Sequence, residues 1–314
     1  MITYQGIHLF TTTAKTVVTI GTFDGVHLGH RKIIERLILA AKKENCESVI
    51  LTFFPHPRMV LHGPDSVQLL NTIDERIALL EGCGVDHLIV HPFDEAFSKL
   101  SAEEFIKKVL VDQLHVQQII VGHDHRFGNN RTADYNDLVL YGKQYGFQVA
   151  QIEAEMLHEV NVSSTKIRTA LQAGVIQLAS QYLGHSYQLS GTVELGNQLG
   201  RTIGFPTANI HLDASYKLVP KRGVYLVQST LHGAVVFGLL NIGVRPTVGG
   251  SKQSIEVHFL GFEGDLYGQI ITIELLDYLR EEQKFDSVEG LKKQIESDRD
   301  WAIQAIASRK ELAK

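Results

Sequence analysis

The sequence predicts a parallel α/β sheet domain followed by a small antiparallel β-barrel domain with a C-terminal helix. Up to about residue 184, short apolar runs alternate with helical patterns, which is typical of a parallel sheet covered on both faces. From about residue 187, β-rich runs broken by glycines indicate a small barrel. The 314 residues give each domain enough chain for its own core.

Short apolar runs place the expected strands of both domains. In the first domain they lie near residues 17–20, 48–54, 87–92, 117–122 and 147–152. In the second they lie near residues 187–195, 223–231, 234–242, 254–260 and 269–278. The C-terminal helix should run from about Val288 to Ser308, because Leu291, Ile295, Ala302 and Ile306 recur on one side. We predict domains at 1–184 and 185–314.

Composition excludes several classes of protein. The net charge is −5 and no basic cluster stands out, so a nucleic-acid partner is not expected. The two cysteines, Cys46 and Cys83, lie far apart, which argues against a disulfide framework or a zinc site. Neither a basic leader with an apolar core nor an uncharged apolar run of about 18 residues is evident. We therefore expect a cytoplasmic protein with no membrane partner.

The segment from Gly21 to His30, Gly-Thr-Phe-Asp-Gly-Val-His-Leu-Gly-His, lies between a predicted strand and a predicted helix. Its glycines would let the backbone approach a polyanion, and a helix N-terminus favours negative charge. His27 and His30 are three residues apart and can point the same way. His-x-x-His alone is more often a pair of solvated histidines, but the glycines and Asp24 favour a phosphate site.

Other unusual segments follow predicted strands of the first domain. They include Phe54-Pro-His-Pro57 and Gly122-His-Asp-His-Arg-Phe-Gly128. Ligands of open α/β sheets bind beyond the carboxyl ends of the strands, so these loops should converge with the first. Val162-Ser-Ser-Thr-Lys-Ile-Arg168 adds hydroxyls and a guanidinium at a helix start, which suits phosphate oxygens. His56 alone fits an inert loop equally well, and the serines alone are the ordinary N-cap of a helix.

Polar residues of the second domain form another candidate site. Gly200-Arg-Thr-Ile-Gly-Phe-Pro-Thr-Ala-Asn209 joins a glycine loop to Thr207 and Asn209, which would face one side of a strand. Their oxygens could help to hold magnesium beside phosphates, although Thr-x-Asn is commonly only a strand-end turn. Glu256 lies in a strand pattern opposite Ile255 and Val257. It could be a general base for an alcohol or a solvated carboxylate, and the sequence favours neither.

The segments of the first domain together resemble the adenylyltransferase half of the bacterial bifunctional riboflavin kinase and FMN adenylyltransferase (FAD synthetase) family. The resemblance implies a Rossmann-like nucleotidyltransferase fold that converts FMN and ATP, with Mg²⁺, into FAD and pyrophosphate. Catalysis would consist of positioning and charge neutralisation by His27 and His30. The residues implied to bind the ATP phosphates are Gly21, Asp24, His27, His30, Ser164, Thr165 and Arg168. Those implied to line the flavin side are His56, Asp124 and Phe127.

The second domain is similar to the riboflavin kinase module of the same family. The similarity is carried by Pro-Thr-Ala-Asn, by Asn241-Ile-Gly-Val-Arg-Pro-Thr247 and by Arg-Glu-Glu-Gln-Lys-Phe285. It implies that riboflavin and ATP give FMN and ADP, with Glu256 taking the proton of the ribityl 5′-hydroxyl. Thr207 and Asn209 would bind Mg-ATP, and Gly200 and Gly204 would cover the nucleotide. Arg280 and Glu282 would belong to a flavin-side flap.

Two residues depart from the family pattern, and two alternatives follow. His125 stands where an aromatic residue is common, and Ala133 stands where a glycine is common. One alternative keeps the fold but has a weak adenylyltransferase because of these departures. The other is a flavin-binding regulator without chemistry, against which stand two complete phosphate-site patterns and the lack of a basic patch.

Overall fold

A computed structural model of the chain describes residues 1–122, 126–152, 162–196, 199–247 and 250–312. The chain divides into two compact units, Met1–Ser164 and Thr165–Lys314. The predicted fold class is confirmed, since the first unit contains a parallel sheet and the second a closed antiparallel barrel followed by a C-terminal helix.

The sheet of the first unit has six parallel strands in the order β1-β4-β3-β2-β5-β6. The strands are β1 (Ile2–Tyr4), β2 (Thr16–Ile20), β3 (Glu47–Phe53), β4 (His87–His91), β5 (Val116–Gly122) and β6 (Gln148–Ile152). All five predicted strands are present within one or two residues. β1 was not predicted, because three residues are too short to show a hydrophobic period.

Helical segments connect these strands. They are α1 (Leu28–Glu44), α2 (Pro57–His62), α3 (Ile73–Glu81), α4 (Glu95–Ser98), α5 (Ala102–Glu104), a π-helical segment (Phe105–Val111) and α6 (Tyr135–Tyr145). Short 3₁₀ turns lie at Ile7–Leu9, Pro64–Ser66 and Asn129–Arg131. In the described residues, no helix combines the length and apolar character needed to cross a membrane.

Both faces of the sheet are buried, which explains the nearly continuous apolar strands. Val17 and Ile50 pack on one face with Ile34 and Leu37 of α1. Val18 packs on the other face, in a cluster with apolar residues of the π-helical segment and α6. Neighbouring residues of a strand therefore enter different cores, so the strands show no polar alternation.

The strand order changes direction beside β2. The chain moves from β2 through β3 and β4 to one side of the sheet, and β5 and β6 lie on the other side of β2. Such a reversal opens a crevice beyond the carboxyl ends of the two strands that flank it. The segment that follows β2 begins at Gly21, and its carboxyl-end position is the one predicted for a ligand.

The second unit is built on a closed barrel in the order β10-β11-β8-β7-β12-β9. Its strands are β7 (Tyr187–Glu194), β8 (Ala208–His211), β9 (Gly223–Leu231), β10 (Ala234–Thr247), β11 (Gly250–Phe259) and β12 (Ile270–Arg280). β8 was not among the strands placed from apolar runs, although Asn209 of the Pro-Thr-Ala-Asn motif was expected on a strand and lies in β8.

Helices of the second part are α7 (Ser164–Ala173), α8 (Ile176–Leu183), α9 (Leu199–Thr202) and α10 (Val288–Leu312). The predicted C-terminal helix is thus confirmed and is a few residues longer than expected. Ala302 of α10 packs against Val224, Leu226 and Leu239, which form a separate cluster on two barrel strands. This packing places α10 against the barrel wall.

Candidate functional sites

The turn after β2 has an unusual backbone. Phe23, Gly25 and Val26 all have positive φ, at 48°, 91° and 40°. A branched side chain such as that of Val26 rarely adopts this conformation, so the turn is strained and must be held by its surroundings. Strain of this kind is common where a backbone approaches a ligand.

Buried polar contacts hold this turn. Asp24 is 1% exposed, and its Oδ1 accepts N–H bonds from Leu70 at 2.9 Å and from Asn71 at 3.3 Å. The Asn71 side-chain oxygen accepts a bond from the Gly25 N–H at 2.7 Å. Asp24 thus supports the turn, which gives a structural reason for its predicted importance. Asn71 was missed, because no sequence pattern links residues this far apart.

His27 ends the turn and begins α1. Its Nδ1 accepts a hydrogen bond from the backbone N–H of His30 at 3.3 Å, so His27 is the N-cap of the helix. An accepting Nδ1 places the proton of the neutral ring on Nε2, which can therefore act as a donor. The two imidazoles stack with centroids 3.6 Å apart and an angle of 14° between their planes. The structure therefore brings the predicted histidine pair together.

His30 is held in the neutral form by its environment. Burial lowers the pKa of His30 well below its ordinary value, and the nearby His27 and Arg76 lower it further. Within the described residues, the buried Nδ1 of His30 has no hydrogen-bond partner. A buried polar atom without a partner is costly, and an anion or its bound water would relieve that cost. This arrangement suits a polyphosphate.

We expect the stability of the first unit to fall with pH below about 6.5 because of His30. The unfolded ring has a pKa of about 6.5, and the folded ring has a lower one, so unfolding takes up a proton as the pH falls. The stabilising contribution is complete above the unfolded pKa and is lost as the pH falls toward the folded pKa. Urea unfolding at pH 7.5 and 5.5 checks this, with H30Q expected to show a smaller pH effect than the unaltered chain. H62Q, at an exposed histidine, is the control.

The other residues predicted to bind phosphate are Gly21, at the start of the turn segment, and three residues of α7. Ser164 donates from Oγ to the backbone oxygen of Asp24 at 3.0 Å. The N–H of Gly21 donates to Leu51 of β3 at 3.1 Å, which fixes the start of the segment. Thr165 is exposed and Arg168 is half-buried on α7. Their roles in phosphate binding stay predictions.

The residues predicted for the flavin side have different surroundings. His56 is buried and is the N-cap of α2, with Nδ1 accepting from the Arg58 N–H at 3.1 Å. Phe127 is buried in the sheet core, and its backbone pairs with that of Ala133. Asp124 and His125 lie outside the described residues. A flavin role for His56 and Phe127 stays a prediction, and both have a structural role.

In the second unit, a cavity of about 260 Å³ lies outside the barrel core. Glu256 lines it, while its neighbours Ile255 and Val257 are buried, as the alternation predicted. Glu256 therefore faces the cavity and not the packed interior of the barrel. Further lining residues are Gly200, Ile203, Phe205, Thr207, Val224, Leu239, Leu240, Asn241, His258, Arg280, Glu282, Gln283, Phe285, Leu291, Ile295 and Asp298.

Two predicted residues of this unit, Thr207 and Asn209, lie beside the carboxylate-bearing Glu256. Thr207 Oγ1 donates to Glu256 Oε2 at 3.4 Å, and Asn209 lies opposite Glu256 in the β8–β11 register. A hydroxyl, an amide and a carboxylate are the oxygen ligands that Mg²⁺ prefers. The described residues include no group of three His, Cys, Asp or Glu side chains that could hold a metal. The hydroxyl of Thr207 and the amide oxygen of Asn209 fit a magnesium ion whose remaining ligands come from phosphate and water.

Glycines bring the backbone of this site into close contact. A Cβ at Gly200 would lie 2.2 Å from the backbone oxygen of Phe205, and one at Gly243 would lie 2.1 Å from the Glu282 carboxylate. Gly204 has φ +88° with open space around it and does not line the cavity. The loop from Gly200 to Gly204 is therefore a tight turn that leads into Thr207.

Arg280 is bound by α10. Its Nε donates to both oxygens of Asp298 at 2.9 and 3.1 Å, and its Nη2 donates to Oδ2 at 2.6 Å. Gln294 also donates to Asp298 at 2.9 Å. The predicted flavin role of Arg280 stays a prediction, and the structure adds that its fork joins β12 to α10 beside the cavity. Asp298 was missed, because nothing in a helical pattern marks a buried aspartate.

We expect D298N to lower the free energy of unfolding of the second unit by about 3 kcal/mol, because Arg280 would lose a largely buried partner. The KM for the substrate that binds in the cavity should rise, since β12 and α10 form two of its walls. Urea unfolding and steady-state kinetics measure the two effects. D300N removes the exposed pair between Arg299 and Asp300 and should change the stability by less than about 1 kcal/mol. Equal effects of both substitutions would contradict the structural role of Asp298.

Comparison with known proteins covers nearly the whole chain. A family model described as FAD synthetase matches residues 10–166, and one described as riboflavin kinase matches residues 183–306. The chain is 40% identical over 282 residues to the bifunctional riboflavin kinase/FMN adenylyltransferase of Haemophilus influenzae, covering 90% of this chain and 91% of the relative. It is 39% identical to the protein of the same name from Escherichia coli K12, covering 94% of each.

A solved structure is also similar over most of its length. It is named as a macrolide-efflux protein from Streptococcus pneumoniae, has a TM-score of 0.85 and 30% sequence identity, and the match covers 95% of this chain and 97% of that one. A third relative, from Pseudomonas fluorescens, carries the bifunctional name and is 41% identical, covering 90% of each chain. The similarity thus spans both units.

Proposed function

Because the chain belongs to the family of bifunctional riboflavin kinases/FMN adenylyltransferases, we propose that it phosphorylates riboflavin to FMN and then adenylylates FMN to FAD. ATP is the co-substrate of both steps. The observation that carries the proposal is that each unit contains its own candidate phosphate site, one at the His27–His30 pair and one at Thr207 and Glu256.

In the first unit the FMN phosphate oxygen attacks the α-phosphorus of ATP, and the bond from that phosphorus to pyrophosphate breaks. No protein nucleophile is required, so the chain contributes orientation and charge stabilisation. His27 would donate from Nε2 to a phosphate oxygen while its Nδ1 caps α1. His30, whose ring stacks on that of His27, would add its imidazole to the same place.

In the second unit Glu256 would take the proton of the ribityl 5′-hydroxyl, whose oxygen attacks the γ-phosphorus of ATP as ADP leaves. The hydroxyl of Thr207 orients this carboxylate through its hydrogen bond. The cavity beside Glu256 is largely apolar at Val224, Leu239 and Leu240, which suits a flavin ring.

Magnesium is part of the proposal. Thr207 and Asn209 would hold it in the second unit, together with phosphate and water, where it would offset phosphate charge. In the first unit the described residues include no group of three His, Cys, Asp or Glu side chains that could hold a metal.

We also propose a cytoplasmic location and a domain boundary between residues 184 and 185. This boundary lies after α8, whereas the two compact units divide between Ser164 and Thr165. Gly184 ends α8 with φ 75°, and β7 begins three residues later at Tyr187. The two family models leave residues 167–182 unmatched between them, and the proposed boundary lies just after the second begins. Both cysteines are free thiols, which suits a reducing compartment.

Incubation of the purified chain with riboflavin and Mg-ATP, with products separated over time, tests the proposed function. FMN should appear first and FAD should follow. FMN as the final product would mean that the first unit lacks adenylyltransferase activity, as the departures at His125 and Ala133 would allow. The absence of both products would contradict the proposal and favour a flavin-binding regulator.

A further inference from the structure

Arg76 is a fully buried arginine beside the first site. Its side chain is 0% exposed, and it lies in the first turn of α3, directly after the capping box formed by Thr72 and Glu75. Neither a motif nor a resemblance singles it out. Burying a guanidinium costs free energy that packing with an apolar side chain would avoid. Its presence therefore calls for a role beyond filling space.

The guanidinium joins two separate loops. Its Nη1 donates to the backbone oxygen of Phe53 at 3.3 Å, and its Nη2 lies 3.8 Å from Oδ1 of Asp24. Phe53 is the last residue of β3, so the bonded oxygen directly precedes the Pro-His-Pro loop that contains His56. Asp24 lies in the strained turn that ends at His27. One rigid group thus connects the turn that ends at His27 with the strand end that leads to His56.

We propose that Arg76 is a positioning residue for adenylyl transfer, which fixes the turn that ends at His27 relative to the end of β3 that leads to His56. This inference rests on the proposed function of the first unit. The turn needs such a support, because Phe23 and Val26 have positive φ and would relax if the contacts of Asp24 were lost. A shift of about 1 Å at a reacting group commonly costs about 10²-fold in rate.

The charge of Arg76 has a second effect that provides an independent readout. Together with burial and His27, the nearby guanidinium lowers the pKa of His30. Charged or titratable groups on the elements around this point include Asp24, His27, the buried Glu75 of α3 and Arg76 itself. Removing the guanidinium should therefore raise the pKa of His30 toward its ordinary value, a change that a purely space-filling role would not produce.

The test compares R76M, R76Q and R76K in the full chain. R76M removes both the donor and the charge, R76Q keeps an N–H donor for Phe53, and R76K keeps the charge with a single donor group. We expect kcat for FAD formation from FMN to fall about 10²-fold in R76M, with a smaller loss in R76Q and the smallest in R76K. The KM for FMN should change less than kcat, because alignment rather than flavin binding is affected. Riboflavin phosphorylation should be unchanged in all three.

Rates are expressed per folded molecule, at a temperature below the unfolding transition of each variant. R36M, at an exposed arginine of α1, is the matched control and should match the unaltered chain. The pKa of His30, followed by NMR of the imidazole, should rise in R76M and stay unchanged in R36M. If R76M does not fold, R76Q decides the question.

A kcat of folded R76M equal to that of the unaltered chain would overturn the inference. If R76M does not fold, the same result in folded R76Q would overturn it. An unchanged His30 pKa in the same variant would contradict the inferred effect of the Arg76 charge on His30. The unaltered chain is assayed in parallel. If it makes no FAD from FMN and Mg-ATP, the proposed function fails, whereas wild-type FAD formation by the variants refutes the role of Arg76 alone.

Discussion

Replacement of both His27 and His30 by alanine is expected to reduce FAD formation from FMN by at least about 10³-fold while FMN formation from riboflavin continues. The stacked rings supply the candidate phosphate contacts of the first unit. Loss of a single donor to a developing charge commonly costs about 10²- to 10³-fold. The measurement is the rate of each product with riboflavin or FMN supplied separately. Loss of both activities in a folded protein would contradict the division into two sites.

A second variant separates the chemistry of His27 from its role as a helix cap. H27N keeps a side-chain oxygen that can accept the His30 N–H, as asparagine is among the preferred N-cap residues. We expect H27N to retain the stability of the unaltered chain and still to lose most adenylyltransferase activity. H27A should lose about 1 kcal/mol of stability in addition. Full activity in H27N would show that capping, and not a phosphate contact, is the function of the ring. H62A is the control for loss of an imidazole.

Replacement of Glu256 by glutamine is expected to have the opposite selectivity. FMN formation should fall by about 10²- to 10⁴-fold, because an amide cannot accept the proton of the attacking hydroxyl. FAD formation from supplied FMN should be unchanged. The substitution preserves shape and a possible bond from Thr207, so a loss would reflect the missing basic oxygen and not a rearranged cavity.

The matched control for Glu256 is E263Q, at an exposed glutamate outside the cavity. It should leave both activities unchanged. If E256Q instead raised the KM for ATP without lowering kcat, Glu256 would belong to the metal and nucleotide set and not act as the base. Titration of Mg²⁺ against activity in E256Q separates these outcomes, since a lost ligand should be offset in part by more metal.

The sequence predicted the elements in which apolar residues recur at a regular spacing. Strands buried on both faces and the long amphipathic α10 have a period that a short window reveals. β1 and β8 were missed, because a strand of three or four residues has no measurable period. The motif residues His27, Asp24 and Glu256 were found because glycine turns and strand alternation mark them locally.

The supporting residues of the two sites could not be found in this way. Asn71 contacts Gly25, Arg76 approaches Asp24, and Asp298 binds Arg280, in each case across a long stretch of sequence. A buried polar side chain and an exposed one are the same letter in a sequence, and only the packing of distant elements distinguishes them. The capping box before Arg76 predicts the start of α3 but not the direction in which Arg76 points.

The closure of the barrel has a consequence for association with other chains. Among the described residues, each of its strands has two hydrogen-bonded neighbours, so the barrel has no edge strand, although β11 pairs with β8 only at Glu256 and Val257. Among the described residues the parallel sheet ends at β1 and β6, each of which has one hydrogen-bonded neighbour and so is an edge strand. β1 has only three residues, which gives an intruding strand little to pair with. The longer edge at β6 is therefore where intermolecular β-pairing, and aggregation during folding, would begin.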